Sequence, residues 1–303
     1  MADNLTRSNT MLDGPTFNKI IRSLVPRVHI SRSGQRAYEA QGVGVSFGHG
    51  APDGSVRVSS LAGIHPVYAS YDSQSKMIVL TTSADKVRWG KDMSRAFESF
   101  SNLRFVPGFE FDTSRVEDMS RTFAGCARLV AIGVRTLNSS QLRNLDVTLP
   151  AFGIILESDW DFSRVRHLDE TFLNCGSIEG ADLSKANLPN LESAAGAFAN
   201  CYNIKYVVLP RIEDPEVLEN SPRMFAGDKA LHTVNMAYMA TKGTFDPTIL
   251  MEGLPNPRKV EAIGLDVYRR PSPANKVNSH NLGSLGLNEE IFVAPQEFGE
   301  MVR

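Results

Sequence analysis

The sequence predicts an α/β solenoid, a right-handed array of short helix-plus-strand units, from three observations. A block ending in phenylalanine recurs at near-constant spacing. An apolar stripe of helical period runs through the first half of each copy, and an apolar-x-x-apolar-x-apolar run fills the second half. Asp118-Met-Ser-Arg-Thr-Phe123 echoes Asp92-Met-Ser-Arg-Ala-Phe97 at a spacing of 26 residues. The phenylalanine with an aliphatic residue six later returns as Phe172/Ile178, Phe198/Ile204 and Phe225/Leu231, and in weaker form as Leu254/Val260.

The first half of each unit reads as a short helix, because Val116, Met119 and Phe123 fall at i, i+3 and i+7, as do Val165, Leu168 and Phe172. The second half reads as a strand of leucine-rich-repeat type: Leu129/Ile132/Val134, Ile178/Ala181/Leu183, Ile204/Val207/Leu209, Leu231/Val234/Met236 and Val260/Ile263/Leu265. One unit cannot bury its apolar face alone, whereas several in register can. Phe97, Phe123, Phe172, Phe198 and Phe225 are thus expected to form the spine of the core. Successive anchors lie 26, 49, 26, 27 and 29 residues apart. The double gap predicts a degenerate unit between Arg135 and Trp160, carried by Leu142 to Val147 or by Phe152 to Leu156.

Ahead of the repeats, Phe17, Ile20, Ile21 and Leu24 define an amphipathic helix with Thr16 as its cap and Pro26 as its stop. Val28, Ile30, Val43, Val45, Phe47, Val56 and Val58 alternate like strands. Residues 1–65 therefore read as a small α+β N-terminal extension or assembly arm, and 66–265 as a capping hairpin plus repeats. Residues 266–303 read as an extended tail in which Glu290-Ile-Phe-Val293 is a candidate anchoring strand.

Phe111-Asp-Thr-Ser-Arg-Val-Glu-Asp-Met-Ser-Arg-Thr-Phe-Ala-Gly-Cys-Ala-Arg-Leu129 resembles the unit of BspA-like leucine-rich-repeat proteins, common on bacterial and mycoplasma surfaces. Trp160-Asp-Phe-Ser-Arg-Val165, running on to Phe172-Leu-Asn-Cys175, is a second copy. The stretch from Pro66 to Val87 is similar to the hairpin that caps such arrays, so the resemblance spans residues 66–265. It implies a cell-surface adhesin. Pro189-Asn-Leu191 and Pro215-Glu-Val217 depart from it by replacing the Asp-x-Ser element.

Composition narrows the function classes. Thirty-two basic and 34 acidic side chains among 303 residues leave a net charge of −2, which does not suggest a nucleic-acid binder. No run approaches the length of a membrane span, and the opening residues lack the apolar core of a secretory signal. A protein kept inside a reducing compartment, or built into a particle, is expected, with surface display only by another export route. Cys126, Cys175 and Cys201 share one slot, three residues after the unit phenylalanine. A shared slot points to structural thiols rather than a nucleophile or a zinc site, since C-x-x-C pairs are missing. The six histidines form no H-E-x-x-H pair. Gly42-Val-Gly44-Val-Ser-Phe-Gly48-His-Gly50 runs into Ala51-Pro-Asp-Gly54 rather than a helix, so it reads as a flexible loop or strand end, not a phosphate loop.

A repeat array presents a broad sheet surface that suits binding rather than catalysis. The expectation is a non-enzymatic interaction protein, without metal or cofactor, whose partner is a protein or a glycan. Its alternative is a structural subunit of a virion or phage particle, with the termini locking its own neighbours. The strand register turns Arg104, Phe105, Val130, Arg135, Glu179, Lys205, Tyr206, His232, Thr233 and Glu261 outward, and these are the candidate binding residues.

Overall fold

A computed structural model describes residues 10–32, 35–40, 44–48, 50–61, 65–108, 110–134, 154–155, 160–212, 215–236, 247–255 and 261–263. Helix α1 (Gly14–Leu24) buries Phe17 and Ile21 and opens with Pro15 in its first turn. Its cap is Asp13, not Thr16: Asp13 Oδ1 accepts the Thr16 amide at 2.9 Å. Val25 is extended, as the residue before a proline must be, and ends the helix. Strands β1 (Arg27–Arg32) and β2 (Gln35–Ala40) form an antiparallel hairpin.

Two larger sheets follow. The first has six strands: β3 (Gly44–Gly48), β4 (Val56–Arg57), β5 (Tyr68–Asp72), β6 (Met77–Thr81), β8 (Phe105–Pro107) and β10 (Ala131–Val134), in the order β10-β8-β3-β6-β5-β4. The hairpin expected before the repeats is β5–β6, and β3 inserts parallel between β6 and β8. The glycine-rich stretch is thus an internal strand rather than a loop. Strands β7 (Val87–Arg88) and β9 (Phe111–Asp112) pair separately. The second sheet is wholly parallel: β11 (Ile154–Ile155), β12 (Gly180–Asp182), β13 (Tyr206–Val208), β14 (Thr233–Asn235) and β15 (Glu261–Ile263), in chain order. Ala181, Val207 and Val234 stack in register and are fully buried, and one continuous core links them to Phe17 and Trp89.

The helical half of each unit is not helical. Among the described residues α1 is the single α-helix and lies before the repeats. The regular structure of the described residues is mostly β-strand, so the expected solenoid of helix-plus-strand units is not the fold. The reason is local. Each turn carries two residues in the left-handed region, two before and two after the anchor: Arg95 and Ser99, Arg121 and Gly125, Glu170 and Asn174, Gly196 and Asn200, Arg223 and Gly227. A right-handed helix cannot contain either. Anchor amides pair instead with the next unit, as Phe97 N donates to Thr122 O, Phe123 N to Thr171 O, Phe172 N to Ala197 O and Phe198 N to Met224 O, all at 2.8–3.0 Å. The i, i+3, i+7 stripe is an inward-facing turn stacked like a strand.

Rings at the anchors stack as a column, with Phe97–Phe123 centroids 5.6 Å apart and planes 2° from parallel. Phe123 stacks directly on Phe172 at 5.7 Å, and Met119 N donates to His167 O, so no unit intervenes on this side despite the long gap. Of the inserted stretch, Ile154–Ile155 adds strand β11 to the sheet side. Leu142 to Val147 lies outside the described residues. The last anchor is also displaced: Phe225 N pairs with Leu250 O, which makes Met251 the anchor and moves Leu254 into the cysteine slot. The expected strand at Glu290 to Val293 lies outside the described residues.

Candidate recognition surface

The turn ridge exposes charge, much of it internally matched. Arg95 pairs with Glu98, Glu98 with Arg121, Arg121 with Glu170, Lys91 with Glu117 and Arg166 with Glu192, mostly from one unit to the next. Such exposed pairs add little stability each.

A different chemistry occupies the corner where turns enter β13 and β14. Tyr206 is half-buried and lies across Gly180, its in-register neighbour, where a side chain would fall inside the phenol ring. Burial first, then Asp182 and Glu179, push the Tyr206 phenol above its ordinary value of 10.0. Four residues earlier, Tyr202 is 48% exposed and stands against Gly176 of the preceding unit. Lys229 of the following unit sits 5.7 Å from the Tyr202 ring centre. Asn203 Nδ2 donates to Gly176 O at 2.7 Å, tying that turn to its neighbour. Lys205 is exposed and pairs with Glu179 at 2.8 Å, and the exposed His232 has Nδ1 2.9 Å from Thr233 Oγ1.

The candidates from the strand register therefore divide. Glu179, Lys205, Tyr206 and His232 come together at this corner. Phe105 does not point into solvent: it is 3% exposed, with its ring over Gly44 of the adjacent strand β3. Thr233 is buried as well, as are Val208 and Asn235 on the same outward side, so among the described residues of β13 and β14 exposure stops at the strand entries. Arg104 and Val130 are half-buried on the units carrying β8 and β10, away from the β13–β14 corner. Arg135 lies outside the described residues, and of Glu261 only its strand backbone in β15 is described. Tyr202 and Lys229 were missed. Their signal was a slot four residues after the anchor that reads Ser101, Ala127, Gly176, Tyr202 and Lys229, small until the two residues that project.

The three cysteines are buried and unpaired with one another. Each thiol donates to the anchor carbonyl of the preceding unit at 3.1 Å: Cys126 to Phe97, Cys175 to Phe123 and Cys201 to Phe172. Burial pushes all three thiols up, away from the reactive thiolate. Among the described residues no group of three His, Cys, Asp or Glu side chains is placed to hold a metal, and no helix is long and apolar enough to cross a membrane.

No curated protein and no solved structure matches the chain. A family described as Mycoplasma protein of unknown function, DUF285, matches it twice, over residues 91–210 and 151–236. The repeats of this chain are thus similar to that mycoplasma repeat family, across the turns and strands that build the corner of Tyr202, Tyr206 and Lys229.

Proposed function

We propose that this chain is a non-enzymatic recognition protein that holds a protein partner at the corner formed by Tyr202, Lys205, Tyr206, Lys229 and His232. The observation that carries the reading is the pair of tyrosines in one unit, Tyr206 lying across Gly180 of the unit before and Tyr202 with a ring edge beside its Gly176. Two rigid rings supported from beneath keep one side outward at little cost in conformational entropy. Such aromatic anchors, rimmed by charge, are the usual hot spots of protein interfaces. The matched charge along the turn ridge supplies no comparable anchor. Similarity to a mycoplasma repeat family supports placing the units beside the BspA-like repeat, with attachment at a cell surface as the function.

A panel of immobilised peptides and glycans, probed with the wild-type chain and with Tyr202→Ala/Tyr206→Ala, tests this. The expected outcome is peptide binding that the double variant loses while its Tm falls by no more than a few degrees. Binding to glycans alone would reassign the partner class, and equal binding by both proteins would move recognition off this corner.

A further inference from the structure

One unit fills the cysteine slot with an acid. Three residues after successive anchors stand Phe100, Cys126, Cys175, Cys201, Asp228 and Leu254, so Asp228 occupies a place otherwise held by apolar groups and thiols. It is 1% exposed. Its Oδ1 accepts the Cys201 amide at 2.7 Å, while Oδ2 is buried without a partner. An ionised carboxylate is costly in such a place and a carboxylic acid far less so. Burial accordingly drives the group up to about 9, with the Cys201 amide pulling the other way. The titratable group facing it from the preceding unit is the buried Cys201 thiol. Arg223 and Lys229 of its own turn and Glu252 of the following one are exposed.

The bond joins Cys201 and Asp228, the residues that immediately precede the surface pair Tyr202 and Lys229. We propose that Asp228 is a positioning residue for the recognition corner: its carboxyl clamps the Cys201 turn to its own and thereby holds Lys229 over the Tyr202 ring. The functional meaning of the clamp rests on the reading of that corner given above, but the clamp itself needs no partner to be observed. Losing the proton would leave a charge among apolar side chains. The two turns then separate or admit water, and Lys229 leaves the ring. Asparagine in the same place keeps the acceptor oxygen and cannot ionise.

The full chain, selectively labelled at lysine, reports this by NMR. The Lys229 side-chain methylene, assigned by its loss in Lys229→Arg, carries an upfield ring-current shift that Tyr202→Leu removes. In the wild type the shift should collapse between pH 6 and 10.5 with a midpoint near the Asp228 value of about 9. Asp228→Asn should retain it across that range. A wild-type shift that persists to pH 10, or one lost identically in Asp228→Asn, overturns the clamp. Failure of the recognition reading shows separately, as unaltered partner binding by Tyr202→Ala at pH 7 with the wild-type shift intact.

Discussion

Gly44 beneath Phe105 and Gly180 beneath Tyr206 are the same device in two sheets, with opposite outcomes. In each, glycine and ring are in-register neighbours on parallel strands, β3–β8 and β12–β13, and a side chain on the glycine would occupy the ring's place. Neither glycine is in the left-handed region, so each is needed for its missing Cβ rather than for backbone freedom. Phe105 is sealed in, beside a strand order that also buries Met77 and Thr81 on the neighbouring β6. Tyr206 keeps part of its ring outward, near Lys205 and His232. A glycine and an aromatic ring in register thus close one sheet and give the other a surface handle. Burial at the outer side, not the residue pair, decides which.

Truncation should separate the two most widely. Phe105→Ala is expected to cost about 3–5 kcal/mol by chemical denaturation, from lost burial and the cavity left behind. Tyr206→Ala should cost no more than about 1 kcal/mol. Similar costs would erase the distinction between a sealed and an open ring.

Filling the glycines is the reciprocal test. Gly44→Ala forces a ring with nowhere to go and should cost about 1–3 kcal/mol. In Gly180→Ala the Tyr206 ring can swing outward, so stability should fall by less than about 1 kcal/mol. Its phenol should then titrate closer to the ordinary 10.0, because the burial that raises it is relieved. Absorbance at the phenolate band reads this, and an unmoved titration would mean the ring stays in place.

The contrast between sealed and strained sites extends to the ridge, where one slot holds three thiols and one acid. Below 3.8, the ordinary carboxyl value, Asp228 is protonated folded and unfolded alike; between there and about 9 only the folded chain keeps the proton. Stability therefore falls as pH rises through that window. Asp228→Asn cannot ionise and should remove the fall, so its stability relative to the wild type should rise with pH across the window. A wild-type stability that is flat from pH 4 to 9 would sink the assignment.

The thiols of that slot should respond less than Phe105. Cys175→Ser should cost about 1–2 kcal/mol, since a hydroxyl is more expensive to bury than a thiol but can still reach the Phe123 carbonyl. Native protein should resist a polar thiol reagent. Fast labelling would place these residues at the surface.

Much of the packing was legible in the residues. The anchor spacing found the phenylalanine column, the shared slot found the three buried cysteines, and the apolar-x-x-apolar-x-apolar run found Ala181, Val207 and Val234. The helix was not legible. An i, i+3, i+7 stripe says which side chains face inward, and a turn with left-handed residues flanking its anchor turns the same ones inward. Arg121 and Glu170 have no intrinsic reason to adopt that conformation. Their neighbours' carbonyls, Asp169 O for Arg121 and Ala195 O for Glu170, hold them there.

What the amino-acid sequence by itself determined is the set of groups that must avoid water, because periodic burial leaves a periodic record. Tertiary structure alone decided how each backbone pairs and which outward residues stay outward. Backbone amides satisfied by the next unit leave no trace in the identity of their own side chains, so helix and stacked turn look alike in one unit. The fate of an outward ring is set by its surroundings: Phe105 and Tyr206 share a position in the repeat, yet one is sealed in and the other half-buried.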